Sequence, residues 1–585
     1  MKLILKDYLQ SLKEREQLDV LIQNLLSQMG LNVFLIPRRG VKEHGVDIAA
    51  YGCWPGEIEE KVFLFAVKSG NVTRSNWSGS PQSLRESLLE IVDSYIPHFI
   101  LPEHKNKKIV ICPCFGGSID KTIFSSYTGF ISNLTDAHKN KLEIKTINGD
   151  ELANLVLDYL CNERLMPSYT QKEFIKSLAY VSDADIVYKH FSTLLSKLFS
   201  DTTPEGLKLV LEKLRLLHLS LGILFSNAKD SKCVLGVSKC SELALLISWN
   251  YIRKLLASDR KNTKLLEAFT QLCMLHVLIL RDLFDELYPF SGHLFALSCS
   301  VSNSQMPLNY GCISIRLIEL LGLISSLGIW VLWMKDLIQG AGEEEEIKPL
   351  NEFINRINEF TFNVIENNPI CFTPIQDEQC SDLLIMFDFW ILTNKNAYLS
   401  HYVAQWTEFT GFSLVRRLYY TSNTRGLKEF LQLEYKRRKE FTDEDFEKST
   451  NSLATIAYIS LLARLLKLHD ISAKIDEILE KLLQHTSLQI YFFDEATEEN
   501  LYMNQGLHGL VLNGISMLSK DEELIKSIER ENGSQRKVME SISCYQHGFW
   551  PLVYASCRHY KLPLPGSLLY KHVTEMPREE STNES

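Results

Sequence analysis

The sequence of 585 residues lacks motifs that would assign it to several common functional classes. Its 13 cysteines include no CxxC pair, which argues against zinc ribbons and thioredoxin-like redox sites and favours buried, reduced thiols. No GxxxxGK[ST] loop is present, so the chain does not encode a P-loop ATPase. Any step that consumes nucleotide energy would therefore need a partner protein.

A strong excess of positive charge is also missing. The net charge is -10, which excludes a basic nucleic-acid coat protein. Residues 1–165 contain 19 Lys and Arg against 20 Asp and Glu, so most of the negative charge lies in the remainder. The N-terminal region can therefore meet a phosphate backbone through locally placed cations, whereas the acidic remainder is expected to repel it.

The strongly apolar, uncharged run in the sequence falls short of a typical membrane span. The stretch "LLGLISSLGIWVLWM" at 320–334 is uncharged for 15 residues, and a spanning helix needs roughly 20. It predicts a central buried helix. The apolar run in "MKLILKDYLQ" is too short for a signal peptide. We therefore expect a cytoplasmic protein with no membrane partner.

The N-terminal region has the pattern of a compact α/β domain, with the predicted order α-β-β-β-α-β-β-α over residues 1–165. Residues 12–29 carry an apolar stripe at helical spacing, and Gly30 follows as a C-cap. "NVFLIP", "GVDIAAYG" and "KVFLFAVKSG" predict three strands, and "KKIVICP" and "KLEIKTING" predict two more.

The rest of the chain is Leu-rich with helical periodicity. It predicts an all-helical regulatory or assembly domain over 170–575 and a disordered tail over 576–585. The acidic stretch "GAGEEEE" indicates an exposed loop near 340–350, where the helical domain divides if it has two parts. The sequence leaves open whether the protein forms a homo-oligomer.

Four side chains in the N-terminal region suit metal-dependent phosphodiester hydrolysis, which needs carboxylates for the metal and a cation near the phosphate. Asp47 follows the "HGV" segment, and Lys68 lies on the next strand. Asp19 and Glu16, three residues apart, share a face of the first helix, so either can add a carboxylate.

The order of these residues resembles the PD-(D/E)xK nuclease superfamily, most closely its Mrr-like restriction-endonuclease branch. The matching segments are "LDVLIQNLLSQMGLNV", "HGVDIAAYG", "FAVKSGN" and "IKTINGDELANLV", within about 160 residues of the chain. The resemblance places the family's helix acid on Asp19, its G-(I/V)-D motif on Gly45-Val46-Asp47 and its x-V-K strand on Ala66-Val67-Lys68. It implies a mixed central sheet flanked by helices and a site that uses Mg²⁺ or Mn²⁺.

Ala66 departs from the family pattern. The superfamily usually has Asp or Glu at this position, and the Mrr-like branch commonly has Gln. Alanine supplies no side-chain ligand, but the backbone carbonyl of Val67 can still coordinate a metal, and water can complete the shell of Mg²⁺. Two hypotheses remain: an active DNA endonuclease, or an inactive scaffold that binds nucleic acid or partner proteins.

Further residues are weaker candidates for contact with DNA. Arg38, Arg39 and Lys42 form a basic turn, and Arg74 and Trp77 follow the Lys68 strand. By analogy with similar nuclease domains, the resemblance implies an effector of a prokaryotic anti-phage or anti-plasmid system. Its partners would be DNA and another protein, such as an ATPase or SMC-like sensor.

Overall fold

The computed structural model describes most of the chain. The described residues are 5–6, 9–10, 12, 14, 18–35, 44–80, 83–138, 142–159, 168–200, 206–257, 262–300, 310–341, 347–503, 510–513, 526 and 537–575. They fall into two compact units, one comprising Met1–Cys240 and Lys254–Leu272, the other Ser241–Arg253 and Cys273–Ser585. The predicted domain boundary after residue 165 and the predicted tail at 576–585 both lie outside the described residues.

The first unit contains a mixed sheet of five strands in the order β1-β2-β3-β4-β5. The strands are β1 Asn32–Leu35, β2 Ile48–Cys53, β3 Glu60–Lys68, β4 Lys108–Phe115 and β5 Leu142–Ile144. The first two pairings are antiparallel, and the β3–β4 and β4–β5 pairings are parallel. The coarse prediction of a small N-terminal mixed sheet followed by a large helical remainder is confirmed.

Helices of the first unit flank and follow this sheet. They are α1 Asp19–Gln28, α2 Arg74–Trp77, α3 Leu84–Glu90, α4 Ile96–His98, α5 Phe124–Ala137, α6 Gly149–Tyr159, α7 Ser168–Ala179, α8 Ala184–Leu198 and α9 Gly206–Asp230. The apolar stripe predicted from residues 12–29 is buried at Leu18, Leu21, Ile22, Leu25, Leu26 and Met29. Gly30 follows α1 with φ +85°, as expected for a C-cap glycine.

The predicted element order omitted the short helix α2 and the longer helix α5, which connects β4 to β5. The sequence of α5, "FSSYTGFISNLTDA", is rich in Ser, Thr and Gly, residues with weak intrinsic helix preference. Only Tyr127 and Leu134 of this helix are buried, so its apolar pattern is sparse. The helix is needed because a parallel β4–β5 pair requires a crossover connection.

Two long helices, α10 Val234–Leu256 and α11 Thr263–Leu287, contribute residues to both units. The described helices of the second unit are α12 Ala296–Ser300, α13 Tyr310–Ala341, α14 Ile347–Glu366, α15 Cys380–Leu392, α16 Asn396–Arg416, α17 Gly426–Arg437, α18 Asp443–Ser449, α19 Thr455–Leu465, α20 His469–Leu482, α21 Thr497–Leu501, α22 Ser543–Gln546, α23 Pro551–His559 and α24 Gly566–Thr574.

The prediction that residues 170–575 are entirely helical is wrong in one place. A three-stranded sheet is formed by β6 Ser452–Leu453, β7 Ser487–Phe492 and β8 Leu510–Asn513. The β6–β7 pair is parallel and the β7–β8 pair antiparallel. These short strands are far apart in the chain, so the sequence contains no hairpin turn from which they could be predicted.

The core of the second unit is built around α13, which contains the apolar stretch at 320–334. Two glycines let α15 approach closely, because a Cβ at Gly322 would collide with Asp382 and one at Gly328 would collide with the ring of Phe389. The segments Thr263–Phe290 and Tyr310–Gln339 are long and apolar enough to cross a membrane, but their most apolar windows are 50% and 83% buried. The burial of the second window confirms the predicted buried helix at 320–334.

The same core holds an ionic network whose carboxylates are shielded from solvent. Arg558 Nη2 lies 2.7 Å from Glu242 Oε2, and His559 Nδ1 lies 2.9 Å from Glu242 Oε1. Burial alone would raise the pKa of Glu242, but Arg558 and His559 outweigh it and hold the pKa at about 2. Further contacts in this core join Lys561 to Asp382 at 2.7 Å, and His572 and Tyr554 to Asp388 at 2.8 and 2.5 Å.

Candidate functional site

The turn before β2 positions Asp47. Gly45 has φ +80°, and a Cβ there would collide with the carbonyl oxygen of Ser87 on α3. Glycine is therefore required both for the backbone conformation and for the close approach of α3. The preceding His44 hydrogen-bonds Ser94 through Nδ1 at 3.1 Å and stacks on Phe99. Gly45, the first residue of the "GVD" segment, is therefore needed for packing against α3. This packing positions Asp47, the third residue.

Asp47 is attached to β3 by two hydrogen bonds that bracket Ala66. Its backbone N–H donates to the carbonyl of Phe65 at 2.8 Å, and its Oδ2 accepts the N–H of Val67 at 2.7 Å. In an antiparallel ladder, the N–H and C=O of one residue face the same neighbouring strand. The carbonyl of Val67 is therefore expected on the side of β3 that faces Asp47, as a metal ligand would require.

Lys68 ends β3, and its ammonium group pairs with Glu14. The Nζ–Oε1 distance is 3.1 Å, and the two side chains are 12% and 32% exposed. Glu14 was not among the predicted site residues, whose helix carboxylates were Asp19 and Glu16. The sequence places three acids in this segment, Glu14, Glu16 and Asp19, and only the three-dimensional arrangement distinguishes them.

Of the two helix carboxylates predicted for the site, the structure describes only one. Asp19 is buried at the first turn of α1, where its Oδ1 accepts the N–H of Val20 at 2.7 Å. Glu16 lies outside the described residues. The structure therefore brings Asp47 and Lys68 to the same end of β3, whereas the contact described for Asp19 is with the start of its own helix.

Ala66 is fully buried in the apolar cluster of the sheet, together with Val62 and Leu64 of the same strand. The Cβ of Ala66 therefore faces packed apolar side chains. An acidic side chain at this position would have to leave that cluster or find a cation or a metal there.

The donor set can be compared with the needs of Mg²⁺, which takes one or two carboxylates, carbonyl oxygens and waters in an octahedron. Asp47 supplies a carboxylate and Val67 a backbone carbonyl. Among the described residues, no group of three or more His, Cys, Asp or Glu side chains is placed to hold a metal ion. With one carboxylate and one carbonyl from the described residues, a bound Mg²⁺ would have to keep several of its waters.

The segment "NGDEL", which lies within the last of the four segments that match the family, has a clear local role. Asn148 Oδ1 accepts the N–H groups of Asp150 and Glu151 at 2.9 and 3.0 Å, and Glu151 Oε2 accepts the N–H of Asn148 at 3.2 Å. These reciprocal bonds form a capping box at the start of α6. Lys6 pairs with Asp150 at 2.6 Å. This match therefore has a sufficient structural explanation in helix capping.

The carboxylates of Glu151 and Asp47 act on the thiol of Cys114 at this end of the sheet. Burial, followed by the charges of Glu151 and Asp47, raises the pKa of the Cys114 thiol on β4. The thiol therefore stays protonated and is unsuited to act as a nucleophile. The described cysteines are free, as predicted, and most of them are buried.

The residues predicted to contact DNA are buried, exposed or outside the described residues. Trp77 is 2% exposed and packs against Tyr127 and Phe130 with ring centroids 5.1 and 5.4 Å apart, so its prediction as a surface contact is wrong. The apolar surface of its indole ring is buried in the core, where such rings stabilise the fold most. Arg74 is exposed. The basic turn containing Arg38, Arg39 and Lys42 lies outside the described residues.

Comparisons with known proteins add no family to this description. No family model matches the chain. No curated protein matches it, and no solved structure matches it. The functional interpretation therefore depends on the residues and contacts described above.

Proposed function

We propose that this protein is a metal-dependent DNA endonuclease whose active site lies at the end of β3, in a domain related to the PD-(D/E)xK nucleases. The observation that carries the proposal is the pairing of Asp47 with Val67, the residue next to Lys68. A carboxylate and a cation far apart in the sequence thereby reach one strand end. This is the minimum arrangement for holding a divalent ion and a phosphate together.

Each residue has a role in the proposed reaction. The carboxylate of Asp47 and the carbonyl of Val67 would hold Mg²⁺ or Mn²⁺, which supplies Lewis-acid stabilisation of the phosphate when bound. Water attacks phosphorus, the bond to the leaving oxygen breaks, and that oxygen takes up a proton. Lys68 stabilises the negative charge that develops on the phosphate oxygens. Glu14 is a positioning residue, because its carboxylate fixes the ammonium group of Lys68.

The helical remainder would control the nuclease or dock it to a partner protein. By analogy with other nuclease effectors, we propose a cytoplasmic role in prokaryotic defence against phages or plasmids, with an ATPase or SMC-like sensor as one type of partner. Control would be needed because unrestrained DNA cleavage is toxic to the cell. Deleting residues 170–585 should then raise toxicity on expression. Because the first compact unit continues to Cys240, circular dichroism must show that the truncated chain is folded, and unchanged or lower toxicity of a folded truncation would contradict this part of the proposal.

The central test is cleavage of plasmid DNA with Mg²⁺ or Mn²⁺ by the full chain, Asp47→Asn and Lys68→Met. Matched controls are Glu59→Gln and Lys105→Met, which change exposed residues of the same unit. We expect both site variants to lose about 10²-fold or more in rate, and the controls to retain it. Equal cleavage by all five proteins would refute the site.

A second candidate function, an inactive scaffold that binds nucleic acid or protein, is favoured by the burial of Ala66 and the engagement of Lys68 by Glu14. Under this hypothesis the full chain binds DNA without cleaving it. Addition of a triggering partner, if one is found, does not change that result.

Ala66→Glu distinguishes the two candidates without an activity assay. Burying an unpaired carboxylate should lower the melting temperature markedly. If a metal position lies beside Asp47, Mn²⁺ should restore part of the loss. Ala50→Glu is the control, because Ala50 is equally buried but lies inside the sheet, opposite Val33 and Phe63. An equal response of the two variants to Mn²⁺ favours the scaffold.

A further inference from the structure

A cavity of about 610 Å³ lies beside the Lys68–Glu14 pair, within the first unit. Its wall includes Glu14 together with Ser69 and Gly70, the two residues that follow Lys68. The cavity therefore adjoins the chain immediately after the end of β3. The opposite wall belongs to α9 and α11.

The helical wall of this cavity is predominantly basic. Lys208 and Arg215 of α9 and Lys264 of α11 line it, and Glu212 is its acidic member. The spacing of residues 208, 212 and 215 corresponds to positions i, i+4 and i+7 on one helix face. Glu14 is already paired with Lys68. Among the described lining residues, three cations and one further carboxylate therefore set the local charge.

We propose that α9 and α11 bind the phosphate backbone of the DNA strand that is cut, through Lys208, Arg215 and Lys264. This inference rests on the proposed nuclease function and adds a substrate-binding surface to it. Residues 208 and 215 are separated by about 10 Å along the helix axis, at 1.5 Å per residue. That length matches roughly three nucleotides at 3.4 Å each along one strand. The acidic helical region therefore presents a local basic face next to the site.

Substitution of Glu212 tests the proposal, because it should strengthen DNA binding and not weaken it. The Oε1 atom of Glu212 is buried and accepts no hydrogen bond from any described residue. A carboxylate in this position repels an incoming phosphate, so Glu212→Gln should tighten DNA binding about threefold. A surface that only maintains the fold would show no such gain.

The main experiment measures binding of a fluorescent DNA duplex by the full chain, with Ca²⁺ replacing Mg²⁺, over a series of salt concentrations. The test variant replaces Lys208, Arg215 and Lys264 with Gln. The matched control replaces Lys105, Lys172 and Lys189 with Gln; these are exposed lysines of the same unit outside the cavity wall. Melting temperatures of all variants check that each is folded.

We expect the test variant to bind more weakly and its slope of log K against log salt to be smaller by roughly 2–3, about one per phosphate contact removed. The control should retain the wild-type slope. If both triple variants bind equally while cleavage still depends on Asp47 and Lys68, the inference is overturned and the proposed function stands.

Two other outcomes are equally decisive. If the wild-type chain neither binds nor cleaves DNA, the proposed function fails and the inference fails with it. If the test variant loses binding of a free mononucleotide but keeps its affinity for DNA, the cavity is a small-anion site and the assignment to the DNA backbone is wrong.

Discussion

Acidic and basic side chains form ion pairs in two regions of this protein, and the pairs in the two regions differ in solvent exposure. At the end of β3, the side chains of Lys68 and Glu14 are 12% and 32% exposed, and Glu14 lines a cavity. In the core of the second unit, those of Arg558 and Glu242 are 3% and 1% exposed. A buried, fully engaged pair serves the fold, whereas a partly exposed pair at a strand end remains accessible to a ligand.

The largest expected effect comes from breaking the buried pair. Glu242→Gln should lower the free energy of unfolding of the second unit by about 3–5 kcal/mol, because Arg558 is left as a poorly compensated buried charge. Urea unfolding followed by tryptophan fluorescence suits this measurement, since six of the eight tryptophans lie in that unit. The control Glu480→Gln changes an exposed residue and should have little effect. A decrease in unfolding free energy below about 1 kcal/mol would show that this network contributes no more than a weak surface ion pair.

The same carboxylate predicts a pH dependence. The pKa of Glu242 is about 2 in the folded protein against an ordinary value of 4.5. Its stabilising contribution is therefore present above about pH 4.5 and is lost as the pH falls towards 2, and it amounts to about 3 kcal/mol. The difference in unfolding free energy between wild type and Glu242→Gln should shrink over this range. A constant difference from pH 6 to pH 3 would contradict the assigned pKa.

A pair of glycines provides a smaller test in the first unit. Gly45 and Gly56 have φ values of +80° and +85°, but only a Cβ at Gly45 meets a neighbour within 4 Å. Gly56→Ala should therefore cost about 1 kcal/mol for backbone strain alone. Gly45→Ala should cost about 1–3 kcal/mol more because of its collision with Ser87. Equal melting temperatures would show that α3 does not constrain the position of Asp47.

The smallest expected effect on stability is at Lys68. Because the Lys68–Glu14 pair is partly exposed, Lys68→Met should change the unfolding free energy by about 1 kcal/mol or less. Under the proposed function, the same variant loses its cleavage activity. Thermal unfolding measured beside the cleavage assay checks both results. A large loss of stability would place Lys68 with the structural charges and remove the contrast with Glu242.

Local sequence patterns were sufficient for several parts of the fold. The stripe that ends at Gly30 predicted α1, and β-branched and aromatic runs predicted the strands of the first sheet. Helix α5 and the sheet β6–β8 could not be predicted in this way. The helix has weak intrinsic preference, and the sheet depends on pairing between segments that are distant in the chain.

For the candidate site, the sequence alone determined the chemical inventory: an Asp after a glycine turn, a Lys at a strand end, several nearby acids and an alanine where a ligand is usual. Tertiary structure decided which acid meets Lys68, that Trp77 enters the core and that Ala66 faces apolar neighbours. It also placed the cations of α9 and α11 beside that strand end. The physical reason is that composition and periodicity determine which residues favour burial or a helix, whereas contacts between distant segments depend on how the elements pack.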